Sequence, residues 1–231
     1  MYPMWNRDHH VVAERSMKEF LKGVRDGVYT PFCSLDWGVR NPTALLLFLE
    51  DRDENIHLID EIYGPAVDVN DIKTQYKKRF SIFQPIFVVA DPSIWYNHDS
   101  QDHSRTIAGQ FERDLPGFPA LPLLKADNDV TNGLAAVREL LRVDPTKGPK
   151  LQVQPRCRNV IWEVQRYAGE EWATGAHNRN KKETPKKKDD HAMDSLRYFA
   201  MSPHRYIRPR SMRKRIPLQA NPVTGYVRAA G

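Results

Sequence analysis

Apolar residues gather in three short runs over the first third of the chain, at 32–37, 44–50 and 56–63. Each has strand length. The last two are joined by Asp51-Arg52-Asp53-Glu54-Asn55, a polar turn too short for a crossover, so the pattern predicts antiparallel neighbours. Ahead of them, 11–27 has some helical periodicity through Val12, Phe20, Leu21 and Val24 and stops at Gly23 and Gly27. From Asp68 the rhythm changes. The spacing predicts helices over 69–80, 104–114, 129–142 (capped by Asp129) and 156–167, and strands over 86–90, 121–124 and 151–153. Residues 170–188 are polar and basic without apolar periodicity, and 190–201 reads as a final helix. The expected fold is α/β, with three antiparallel strands, then parallel ones, and helices on both faces. We divide the chain into a lead-in at 1–30, a domain at 31–202 and a basic tail at 203–231 that has too few apolar residues to fold alone.

Composition narrows the class. With 231 residues, 40% of them apolar, the chain can bury a sizeable core, and 17 prolines predict long loops. The formal net charge is +6, which favours a polyanionic partner. That excess is concentrated. Arg179, Lys181, Lys182, Lys186, Lys187 and Lys188 stand against Glu183 alone, and the tail adds seven more arginines and lysines from Arg205 to Arg228 without an acid. Cys33 and Cys157 have no metal or disulfide spacing and read as reduced core thiols. The N-terminus has no signal-peptide pattern and no apolar run is long enough to span a bilayer, so the expectation is a soluble intracellular protein.

The candidate chemistry is acidic. Asp36 ends the first apolar run, Asp91 ends the run Ile86-Phe87-Val88-Val89-Ala90, and Asp190 and Asp194 open the last helix. An acid that follows a strand lies at the sheet's carboxyl edge, where open α/β sheets bind ligands. At about 100° per residue, Asp190, Asp194 and Arg197 share a stripe beside the apolar face made by Ala192, Met193, Leu196, Phe199 and Ala200. Asp189 suits the N-cap, and His191 is within reach of the same site as a ligand or proton shuttle, with a surface position as the alternative. Carboxylates gathered this way need a cation or shared protons. Two magnesium or manganese ions about 4 Å apart, with Asp36 bridging and Asp91, Asp190 and Asp194 completing the shell, would suit phosphodiester hydrolysis.

Blander readings compete. Asp91-Pro92 is a common turn starter, and acids in a first helical turn favour the macrodipole. Asp36 resists that treatment, because an acid after a buried run needs a partner. Trp37, Trp95 and Trp162 read as core, and His9, His10, His98, His103, His177 and His204 as solvated. No phosphate-binding glycine loop is visible, hence no visible route to ATP hydrolysis. The cations at 179–188 lead into the acidic helix, where they would hold phosphates without reading bases.

The segments Leu35-Asp36-Trp37-Gly38-Val39-Arg40-Asn41-Pro42-Thr43-Ala44, Ile59-Asp60-Glu61-Ile62-Tyr63-Gly64, Val88-Val89-Ala90-Asp91-Pro92 and Asp190-His191-Ala192-Met193-Asp194-Ser195-Leu196-Arg197-Tyr198 together resemble the nuclease domain of the large terminase subunit of tailed bacteriophages. The resemblance spans about 30–201. It implies a ribonuclease H-like fold and a two-metal endonuclease acting on concatemeric double-stranded viral DNA in the host cytoplasm, with Asp36, Asp91 and the acids of the last helix as ligands. It also implies a packaging ATPase domain, a portal protein and a small terminase subunit as partners, with 1–30 as an interdomain linker. Another ribonuclease H-like nuclease, of the resolvase or transposase type, and a non-catalytic DNA-binding module are the alternatives.

Overall fold

A computed structural model describes residues 2–38, 41–66, 68–96, 102–167 and 190–207, together with a short antiparallel pair, β9 (Gln219–Ala220) and β10 (Val227–Arg228). The three expected strands form a meander of β1 (Thr30–Asp36), β2 (Thr43–Glu50) and β3 (Ile56–Gly64), paired antiparallel from Thr30↔Glu50 to Asp36↔Ala44 and onward to β3. All positions of β1 and β2 are buried. Such strands show no in-out alternation, because helices cover both faces of the sheet.

Three parallel strands extend the meander: β4 (Val88–Ala90) beside β1, β5 (Leu123–Lys125) beside β4, and β8 (Leu151–Val153) beside β3. The order is β5-β4-β1-β2-β3-β8. A small hairpin of two-residue strands, β6 (Val143–Asp144) and β7 (Gly148–Pro149), precedes β8. After a short turn, α1 (Arg7–His10), one face carries α2 (Met17–Arg25), α3 (Val69–Arg79) and α4 (Ile107–Glu112), which bury Phe20, Ile72, Tyr76 and Phe111 against Leu35, Leu45 and Leu47. The other carries α5 (Val130–Leu140), α6 (Arg158–Arg166) and α7 (His191–Met201), packed on Phe32, Leu46 and Phe48. This is the ribonuclease H-like α/β arrangement. Among the described residues, no helix is long and apolar enough to cross a membrane.

Capping explains several boundaries. Ser16 and Glu19 form a capping box that starts α2 well inside the periodic stretch. The helix expected over 104–114 is split, because Thr106 accepts from the Gly109 N–H and begins α4 there, leaving His103–Arg105 as a separate 3-10 turn. At the far end of α4 the fully buried Lys73 donates to Gln110 O at 3.1 Å and to Arg113 O, closing the helix with a cation at its negative pole. Lys73→Met would leave these carbonyls without that donor. It should lower stability by about 1–3 kcal/mol, read from the urea midpoint.

Three sequence readings are corrected. His10 is fully buried, stacked on Trp5 and hydrogen-bonded to Leu141 O at 3.0 Å. His204 stacks on Phe199 with ring centroids 4.4 Å apart and pairs with the buried Glu50 at 3.0 Å. Trp162 is 42% exposed, covered on one side by the Arg166 guanidinium. The chain just after α7 also packs back on the fold, since Tyr206 OH donates to Gly27 O and the Ile207 N–H to Thr30 Oγ1.

Candidate active site

Parallel pairing sets Leu35 opposite Ala90, and the Asp91 N–H donates to Leu35 O at 3.2 Å. Asp36 and Asp91 therefore leave adjacent strands at the same level of the carboxyl edge. Asp91 also makes the turn that Asp-Pro predicts: its Oδ1 accepts from the Ser93 N–H at 2.8 Å and opens the 3-10 turn Pro92–Trp95. The two readings of this residue are compatible, because the turn engages one oxygen only.

Helix α7 runs against β1, where the buried hydroxyls of Ser34 and Ser195 meet at 2.7 Å. One turn earlier, His191 Nδ1 sits 3.0 Å from Asp36 Oδ2. Asp194 Oδ1 accepts from Arg197 Nη2 at 2.9 Å, and Arg197, 3% exposed, is itself held by Asn128 Oδ1 at 3.3 Å. Asp190 is buried at the N-cap position, but its side chain makes no cap bond. Asp189, the expected cap, and the cations Arg179, Lys181, Lys182, Lys186, Lys187 and Lys188 lie outside the described residues.

The acids share one electrostatic neighbourhood. Burial pushes the Asp36 carboxyl up to about 6; the His191 hydrogen bond opposes this, and the charges of Asp194 and Asp91 reinforce it. The His191 imidazole is raised in turn by its bond to Asp36. Burial, then the charges of Asp194, Asp91 and Asp36, drives the Tyr198 hydroxyl far upward, so that it stays neutral. Asp36 Oδ1, Asp91 Oδ2 and Asp194 Oδ2 accept no hydrogen bond among the described residues. Carboxylate oxygens of this kind are the ligands that hard divalent cations take. They do not form a finished cage. Among the described residues no three His, Cys, Asp or Glu side chains stand together at ligand range, and His191 and Arg197 hold Asp36 and Asp194 to separate partners.

The sequence reading missed Glu163. This fully buried carboxylate on α6 accepts the Ala192 and Met193 N–H groups at 2.8 and 3.1 Å through Oε2, and Tyr63 OH at 2.6 Å through Oε1. It thus supplies the N-cap that Asp190 does not, from a neighbouring helix. Glu61 does the same for α6, accepting the Asn159 and Val160 N–H groups at 2.7 and 3.0 Å. Two acids therefore pin the β3 end to α6 and α6 to α7, fixing where His191 and Asp194 reach the edge. The only sequence signal was an acid on the buried stripe of a predicted helix.

No protein-family model matches the chain, and no curated protein sequence is similar to it. Solved structures are similar. The large terminase of a thermophilic bacteriophage superposes with a TM-score of 0.61 at 21% identity, over 86% of this chain and 43% of that one. The nuclease domain of the P22 large terminase gives 0.59 at 14% identity, over 85% of this chain and 89% of that one. The chain spans less than half the length of the thermophilic phage protein and nearly the whole P22 domain. Its fold is that of large-terminase nuclease domains.

Proposed function

We propose that this chain is a divalent-metal-dependent DNA endonuclease domain of a viral packaging terminase, cutting concatemeric double-stranded DNA with little sequence preference. The carrying observation is that Asp36, Asp91 and Asp194, from three distant segments, share one electrostatic neighbourhood, each with a carboxylate oxygen that accepts no hydrogen bond among the described residues. In this reading Asp36, Asp91 and Asp194, with Asp190, hold two magnesium or manganese ions. Bound there, the ions would supply the charge that neutralises the phosphodiester under attack and makes a water nucleophilic at neutral pH.

The chain's own contribution is orientation and proton placement. His191 fixes one oxygen of Asp36, and the other accepts no hydrogen bond among the described residues. The bond to Asp36 raises the affinity of the His191 imidazole for a proton. Arg197 orients Asp194, and Ser34 with Ser195 holds α7 in register with β1. Phosphate binding by the cations of 179–188, a packaging ATPase domain, portal and small terminase subunit as partners, and the host cytoplasm as location complete the proposal.

Cleavage of supercoiled plasmid tests it. With manganese or magnesium the protein should nick and linearise the plasmid, leaving 3′-hydroxyl and 5′-phosphate ends. EDTA, or any one of Asp36→Asn, Asp91→Asn and Asp194→Asn, should reduce the rate at least ~100-fold, since removing one charge-stabilising group typically costs that much. Cleavage confined to four-way junctions would instead favour a resolvase. DNA binding by a folded protein that never cuts would favour a binding module.

A further inference from the structure

We infer that Tyr96 and Lys125 form a contact for the DNA backbone on the outer side of the acidic edge, an inference that rests on the nuclease reading above. Register places the pair. Lys125 ends β5 opposite Ala90, the residue before Asp91, and the next N–H, of Ala126, donates to Ala90 O at 2.9 Å. Leu123 packs into the cluster beneath α3 and α4, and Leu124 into the one beneath α7. Strand alternation therefore sends Lys125 out on the face opposite the one where Asp36 meets His191. Tyr96 arrives from the other direction, directly after the 3-10 turn that Asp91 opens. The two side chains meet one strand beyond Asp91.

Their chemistry is open to solvent. Tyr96 is 66% exposed, more than any other large apolar side chain among the described residues. Lys125 Nζ lies 4.8 Å from its ring centroid and 3.4 Å from its hydroxyl. Those are the contacts of the Lys125 ammonium; among the described residues it pairs with no carboxylate. The ring holds the cation in place without neutralising it. A fixed ammonium beside a flat, exposed ring, one strand beyond Asp91, suits a chain that alternates phosphate with sugar and base. In this arrangement Lys125 holds one phosphate and the Tyr96 ring lies on the adjoining sugar, so the strand is steadied on the Asp91 side.

Binding without catalysis tests the pair. A fluorescein-labelled 30-base-pair duplex would be titrated with wild type, Lys125→Ala, Tyr96→Ala and Lys150→Ala in EDTA across a range of salt. Lys150 precedes β8 at the opposite end of the sheet and controls for net charge. Lys125→Ala should weaken binding about 5-fold and lower the slope of log K against log salt by about 0.9, the loss of one phosphate contact. Tyr96→Ala should weaken binding about 5-fold with a smaller change in slope. Lys150→Ala should match the wild type, and Lys125→Arg should restore both affinity and slope. If wild type binds and cuts DNA while Lys125→Ala and Tyr96→Ala bind as it does, the contact is wrong and the nuclease reading stands. If wild type neither binds the duplex nor cuts plasmid, the nuclease reading falls and takes the contact with it.

Discussion

Asp36→Asn should give a protein that no longer cuts DNA and yet is more stable than wild type at pH 7.5 without metal. The Asp36 carboxyl is raised to about 6, chiefly by burial and then by the charges of Asp194 and Asp91. Its ordinary value is 3.8. A carboxyl whose folded value lies above its unfolded value favours the folded state only while it is protonated. That contribution is complete below pH 3.8 and disappears as the pH rises through about 6. At pH 7.5 the ionised acid therefore opposes folding, and the isosteric amide does not. The expected gain is about 1–3 kcal/mol, the lower end allowing for the His191 bond that favours the charged form. It should shrink toward zero near pH 4. Manganese should then raise the melting temperature of wild type but not of the variant, because only the wild type gains a ligand of the folded state. A variant less stable than wild type at pH 7.5, with both insensitive to manganese, would contradict this account of Asp36.

The second large effect is expected far from any exposed surface. Glu163→Ala removes the acceptor of the Ala192 and Met193 N–H groups and of Tyr63 OH. Burial raises this carboxyl to about 7, and its three donors oppose that rise by favouring the anion at the amino end of α7. Three donors left unpaired in the core should cost about 2–5 kcal/mol, whereas Tyr63→Phe, which removes one donor cleanly, should cost about 1 kcal/mol. The distinguishing readout is local. In Glu163→Ala the amides of Ala192 and Met193 should lose hydrogen-exchange protection while those of β2 keep theirs, and cleavage should fall with them, because His191 and Asp194 ride on that turn. Unchanged protection at Ala192 and Met193 would show that α7 is capped in some other way.

The sequence was legible where local pattern and tertiary environment agree. The meander could be read because each strand is a contiguous apolar run closed by polar residues, and its bounds moved by no more than two residues. Asp36 and Asp91 could be placed at the edge because each ends such a run, and α5 because Asp129 both looks like and is its cap. What failed was decided at a distance. Nothing near His191 in the chain says that its helix is capped by Glu163, which is 29 positions from Ala192. The aromatic and basic character of Trp162 and His10 carries no sign of burial, so the tryptophan was read as core and the histidine as solvated, when packing makes the reverse true. The exposed pair of Tyr96 and Lys125 was equally invisible, because strand register alone brings them together. Strand ends and helix spacing single out the acids as candidates; the partners of two of them, His191 for Asp36 and Arg197 for Asp194, emerge only from the packing of α7 on β1.

The proposed metal centre draws its carboxylates from β1, the end of β4 and α7. Anomalous diffraction at the manganese edge from crystals soaked in manganese tests it most directly. The expected result is two manganese peaks about 4 Å apart at the carboxyl edge, where Asp36, Asp91 and an acid of α7 would hold them. Soaked crystals with no peak at that edge, or with manganese bound only elsewhere, would contradict it.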